Sequence, residues 1–130
     1  WTDDEWYLLD FEGEPARSLA ERRRKRSPLR DVAGMLRSIT YAVSAAQLVR
    51  GASVPEGWEE RAREEFLSAY LGTADPSLLP ATRESIDRLV AVFELERMMY
   101  ELRYELDNRP DWVRIPVAGI VRLLDQPLGE

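Results

Sequence analysis

From residue 28 onward, apolar positions return every three to four residues, the period of helices with one buried face. The first helix is predicted from about Pro28 to Arg50. Ser27-Pro28 supplies an N-cap followed by proline at the first helical position, and Gly51 supplies a stop. Its apolar face comprises Leu29, Val32, Ala33, Leu36, Ile39, Val43, Ala46 and Val49. Gly34, Ser38 and Ala42 are close in angle along the same helix, a row of small side chains expected to admit a neighbouring helix closely. A second helix, about Trp58 to Leu71, is predicted to bury Trp58, Ala62, Phe66, Ala69 and Tyr70 and to end at Gly72.

A long third helix is predicted from about Pro80 to Asp107, stopped by Asn108-Arg109-Pro110. A last one runs from Asp111 or Pro116 to Leu124 and is closed by Asp125-Gln126-Pro127. The third carries two apolar stripes. Ile86, Leu89, Val90 and Phe93 form the first, which continues into Arg97, Tyr100 and Tyr104 with Glu101 at its edge. Leu95, Met98, Met99, Leu102 and Leu106 form the second, so this helix is expected to be packed between neighbours. Glu94, Glu101 and Glu105 make a carboxylate ridge between the stripes. Two readings of that ridge stand. One is structural ion pairing, Glu101 with Arg97 and Glu101 or Glu105 with Arg109. The other is a polar cleft in which Tyr100, Glu101, Tyr104, Glu105, Arg109 and Trp112 meet a sugar, with rings on its apolar faces and acids on its hydroxyls.

Before the first helix the pattern changes. Trp6-Tyr7-Leu8-Leu9 is a short aromatic and apolar run bounded by acids and reads as one buried strand. A single strand cannot satisfy its own hydrogen bonds, so its sheet partners are expected outside this sequence. Residues 10–28 read as irregular and charged. Asp10, Glu12 and Glu14 crowd the end of the strand around Gly13, where a backbone turn is easy. An Asp at a strand end with a second acid two residues on suits Mg²⁺, which takes one or two carboxylates and completes its shell with water and phosphate. An acidic surface turn is the plain alternative. The fold class is mostly α with one leading strand and about four helices.

Composition narrows the chemistry. Among 130 residues there is no histidine and no cysteine. That excludes a Ser-His-Asp triad, an imidazole base, disulfides, and zinc held by Cys or His. Carboxylates, arginines and hydroxyls remain, a donor set for Mg²⁺ or Ca²⁺. The net charge of −6 argues against nucleic acid as the main partner. The basic run Arg22-Arg23-Arg24-Lys25-Arg26 reads as a solvated loop paired with nearby Glu12, Glu14 and Glu21. No run of about 18 apolar residues and no leader pattern are present, so a cytoplasmic location without membrane contact is expected.

The residues as they stand also resemble a known family. Asp10-Phe11-Glu12 after an apolar strand is similar to the metal-binding Asp-Phe-Gly segment of the kinase fold. The strings Asp10-Phe11-Glu12-Gly13-Glu14-Pro15, Ala20-Glu21-Arg22-Arg23 and Ser27 through Ser38 resemble maltokinase, a bacterial branch of the aminoglycoside-phosphotransferase-like kinases often fused to trehalose synthase. Tyr100 through Glu105 and Asn108 through Trp112 look like the end of that family.

The resemblance implies ATP-dependent phosphorylation of the anomeric hydroxyl of maltose. It implies Asp10 as a Mg²⁺ ligand, Glu12 as a second or water-mediated one, and Asp31 as the brace of the catalytic loop. It sets Tyr100 to Trp112 toward the sugar. The family's N-lobe, phosphate-binding lysine and His-Gly-Asp catalytic loop have no counterpart here, and family order puts them before Trp1. The chain is therefore expected to be a partial C-lobe, with residues 1–28 the metal-site strand and charged loop, residues 29–130 a helical subdomain, and no catalytic residue of its own. Its partners would be maltose or a similar sugar and the rest of the same kinase, alone or fused to trehalose synthase. A related sugar kinase such as a glucosamine kinase, or a non-catalytic helical interaction module, are the alternatives.

Overall fold

A computed structural model describes residues 18–125 of the chain. The expected strand Trp6–Leu9, Asp10, Glu12 and the acidic loop lie outside the described residues. Within them the fold is all helix, in five α-helices. α1 is one turn, Leu19–Arg22, in a segment read from the sequence as irregular. Its cause is a capping box: the Ser18 hydroxyl accepts from the Glu21 backbone N–H and the Glu21 carboxylate accepts from the Ser18 N–H.

α2 spans Leu29–Ser44 and runs on through a π-helical turn, Ala45–Val49, to Gly51, whose positive φ of 63° ends it. Leu29–Val49 together is long and apolar enough to cross a membrane by length and composition. Its apolar face, however, is the centre of this bundle: Leu29, Val32, Ala33 and Leu36 are buried with Ile86 and Val90. The same face also buries Arg37 and Thr40.

α3 (Trp58–Thr73) packs on α2. The face it turns inward is Ala62, Arg63, Phe66, Leu67 and Tyr70, rotated from the expected one, and Trp58 and Ala69 are exposed. Arg63 lies on the inward side, where its guanidinium reaches across to Glu94 of α4. Gly72 does not stop the helix, which continues one residue further.

α4 (Arg83–Asn108) begins after Pro80, with the Thr82 side chain capping the Ser85 N–H at 3.2 Å. A short 3₁₀ turn at Pro110–Trp112 leads into α5, Arg114–Leu124. α4 lies against α2 and α5. Its buried line is Ile86, Val90, Glu94, Met98 and Glu105, so the inward face passes over the carboxylate ridge and not over Tyr100 and Tyr104. The expectation that both apolar stripes are covered does not hold among the described residues: Met99 and Leu106 are more than half exposed. The buried acids are tolerated because each meets a guanidinium.

Candidate functional site

The row Gly34, Ser38, Ala42 was expected to receive a helix. It faces open space: a Cβ on Gly34 would meet nothing within 4 Å, and Ser38 and Ala42 are exposed. With α4 it forms a groove. Arg30, Asp31, Gly34, Ser38, Phe93, Glu96, Arg97 and Tyr100 line an upper cavity of about 330 Å³. Ser38, Tyr41, Ala42, Arg97, Tyr100, Glu101, Tyr104, Glu105 and Arg109 line a lower one of about 390 Å³, which shares Ser38, Arg97 and Tyr100 with it.

The fold thus gathers five of the six residues nominated for sugar contact, Tyr100, Glu101, Tyr104, Glu105 and Arg109, into one concavity. Their spacing along α4 puts Tyr100 and Tyr104 on one side and Glu101 and Glu105 a step inward. Both tyrosine rings are partly exposed, and each carries a guanidinium over one face: Arg97 at 5.3 Å from the Tyr100 centroid and Arg109 at 5.4 Å from that of Tyr104. Trp112, the sixth, stands at the lower end, stacked on Tyr41 at 6.1 Å and against Arg109 at 4.6 Å.

The two acids differ in what they have left to offer. Glu105 is 1% exposed and fully engaged. Its Oε1 accepts from the Tyr41 hydroxyl at 2.5 Å and from Arg109 Nη2 at 2.6 Å, and its Oε2 accepts from Arg109 Nε at 2.8 Å. Glu101 Oε2 accepts a strong bond from Arg37 Nη2 at 2.7 Å, while Oε1 has only long contacts, to Arg37 Nε at 3.5 Å and Arg97 Nε at 4.0 Å. Glu101 Oε1 therefore keeps acceptor capacity toward the groove. At the other end, Asp31 lines the upper cavity and takes no side-chain hydrogen bond or ion pair from the described residues. Its neighbour Arg30 is bound to Glu96 at 2.5 Å and lies over Phe93.

Of the ion pairs read from sequence, Arg109 with Glu105 forms and Arg97 with Glu101 is marginal. The dominant partners come from other helices. Arg63 Nη1 and Nη2 bind Glu94 Oε1 and Oε2 at 2.8 and 3.0 Å, and Nη1 also approaches the Leu36 carbonyl and Thr40 Oγ1. Thr40 donates to Glu59 at 2.7 Å, and Arg122 of α5 meets the same carboxylate oxygen at 3.1 Å. Gly119 lets α5 sit down on this layer, because a Cβ there would lie 2.7 Å from Met98 Sδ and 2.9 Å from Arg37 Nη1. Arg37, Arg63 and Tyr41 were not singled out in the sequence. A polar residue on the predicted buried face of α2 was the available signal for Arg37.

Burial holds the Tyr41 phenol protonated well above its ordinary pKa of 10.0, and its hydrogen bond to Glu105 and the charge of that carboxylate act in the same direction. The Glu105 bond likewise raises Arg109. A raised folded-state pKa contributes stability that is complete below the unfolded value and is lost as pH climbs past it. The protein is therefore expected to lose stability above pH 10, and Tyr41→Phe to flatten that alkaline slope. Urea midpoints measured across this range in both proteins check it; equal slopes would remove Tyr41 as the cause.

No group of three or more acidic residues suited to a metal occurs among the described residues. No family model matches the chain. Among curated proteins the chain is similar to a glucosamine kinase of Streptacidiphilus jiangxiensis, with 27% identity over 132 residues, 98% of this chain. It spans 30% of that relative's length. The relationship is kinase-like in kind and does not single out maltose.

Proposed function

We propose that this chain is the C-terminal part of the helical lobe of an ATP-dependent sugar kinase. The observation that carries this reading is the similarity to a kinase across 98% of the chain. The groove supports it, since stacking rings beside an acceptor carboxylate suit a carbohydrate. By resemblance of its motifs the acceptor is maltose, phosphorylated at the anomeric hydroxyl. The name of the relative favours glucosamine as the second reading.

In this reading Tyr100 and Tyr104 lie under the sugar, Glu101 Oε1 accepts one of its hydroxyls and Arg109 donates to another. Glu105 acts behind them by fixing Arg109 and Tyr41. Asp31, without a side-chain partner among the described residues, accepts hydrogen bonds from the backbone of the loop that carries the base, a loop that lies upstream of Trp1 on this reading. Asp10 and Glu12 are hard oxygen donors suited to Mg²⁺, which when bound neutralises charge on the nucleotide phosphates. Phosphoryl transfer rests on positioning and charge stabilisation, so a part of the lobe without base or phosphate cradle is not enough.

The test is ADP formation with maltose and with glucosamine, by the whole polypeptide that carries this sequence and by residues 1–130 alone. Sugar-dependent ADP formation is expected from the first only. Turnover by residues 1–130 would show that the base is within them. No sugar-dependent transfer by the whole polypeptide would defeat the kinase reading and leave a helical interaction module.

A further inference from the structure

α2 grips the carboxylate ridge of α4 at two points one turn apart. Tyr41 donates to Glu105, and Arg37 Nη2 donates to Glu101 Oε2 at 2.7 Å. The two contacts differ in charge. Glu105 meets a neutral phenol from α2 and takes its cation, Arg109, from its own helix. Glu101 takes its nearest cation from behind. Arg37 is buried and lines neither part of the groove. It lines a smaller cavity of about 160 Å³ towards α3 and α5, beside Thr40, Arg63, Glu94 and Gly119. Its guanidinium therefore touches the groove only through Glu101.

We propose that Arg37 sets the charge class of the sugar: by neutralising Glu101 from behind, it makes the groove select an uncharged hydroxyl over an ammonium group. The inference rests on the kinase reading and deepens it. Glu101 Oε1, with contacts of only 3.5 and 4.0 Å, has room to accept one more hydrogen bond. It has no unpaired negative charge to offer with that bond. Among the described residues lining the lower cavity, Arg97 and Arg109 accompany Glu101 and Glu105, and Arg37 adds a third guanidinium to the two carboxylates. A hydroxyl needs only an acceptor. An ammonium group must also lose its hydration, and that loss is offset only by a carboxylate whose charge is still unpaired. In this groove it meets one cation too many. Arg37 is thus a positioning residue: it touches no sugar, and it orients and neutralises the side chain that does.

The experiment measures kcat/KM for maltose and for glucosamine in the whole polypeptide that carries this sequence, with calorimetric binding of both sugars to the same preparations. Wild type, Arg37→Gln and Arg37→Lys are compared. Glutamine keeps a donor and removes the charge, whereas lysine keeps the charge and gives up the guanidinium fork. Maltose has a second ring, so the effect of charge is read from the change in the maltose-to-glucosamine ratio. On one preparation that ratio does not depend on the folded fraction. Wild type is expected to prefer maltose. Arg37→Gln should lower the ratio about tenfold, the order expected for one charge a few ångströms away near a protein surface, and Arg37→Lys should hold it within about twofold of wild type. A wild type that prefers glucosamine overturns the proposal, and that test stands even where Arg37→Gln does not fold. An unchanged ratio in Arg37→Gln also overturns it, as does an equal fall in Arg37→Lys, which would assign the effect to geometry and not to charge. Binding separates this inference from the kinase reading. Sugars that bind in the expected ratios without ADP formation sink the kinase and keep the role of Arg37, and an active enzyme with the wrong ratios does the reverse. A polypeptide that neither binds nor phosphorylates either sugar overturns both.

Discussion

Arg37→Ala is expected to destabilise the protein by about 3–5 kcal/mol, the cost of stranding a buried charge whose partner has been removed. The Arg37 side chain is 3% exposed and that of Glu101 is 13% exposed, and they meet at 2.7 Å. Alanine leaves the largely enclosed Glu101 carboxylate with only the long contact to Arg97, and opens a void against Met98 and Gly119. The intact pair is not itself a large net gain, because both charges were dehydrated to form it. The double variant Arg37→Met with Glu101→Leu is therefore expected to cost much less than Arg37→Ala alone. Urea denaturation of the three proteins measures this. A loss below about 1 kcal/mol for Arg37→Ala would mean that water reaches the site and screens it.

The second large effect is on chemistry. Asp10→Ala in the whole polypeptide is expected to lower sugar-dependent ADP formation on the order of 10²–10³-fold, with the thermal midpoint unchanged. On the kinase reading the Asp10 carboxylate would hold Mg²⁺ and so act on the charge of the reacting phosphates, and activity and stability should separate. Glu12→Ala is expected to follow the same direction with a smaller effect. Unchanged activity in Asp10→Ala would remove the metal role and favour a helical module that has kept a kinase-like sequence.

The four longer helices α2 to α5, their order and most of their ends were legible because they depend on local physics. Apolar period, the proline at position 28, the left-handed glycine at position 51 and the Asn108-Arg109-Pro110 stop all act within a turn or two of where they stand. The capping box at Ser18 and Glu21 was equally local and was there to be read. The buried face of α2 was also correct at Leu29, Val32, Ala33, Leu36 and Val43. A charged residue within that face, Arg37, could be placed only once its partner was known.

Partner choice across helices is where sequence reasoning stopped. Glu94, Glu101 and Glu105 are visible as a ridge, but spacing along one helix offers only partners three or four residues away. The fold supplies Arg63 from α3, Arg37 from α2 and Tyr41 from α2, at sequence separations of 31, 64 and 64. Those bonds go with inward faces of α3 and α4 that differ from the ones the apolar period predicts. They bury Glu94 and Glu105 while Trp58, Ala69 and Met99 turn outward. They also convert a row of small residues into the floor of a groove, and they separate Glu101, with an oxygen to spare, from Glu105, with none. Element identity follows from neighbours in the chain, whose effects fall off within a turn. Which charged residues join a buried face, and how far α3 and α4 turn to bring them there, depends on partners from other helices, and only the assembled bundle decides that.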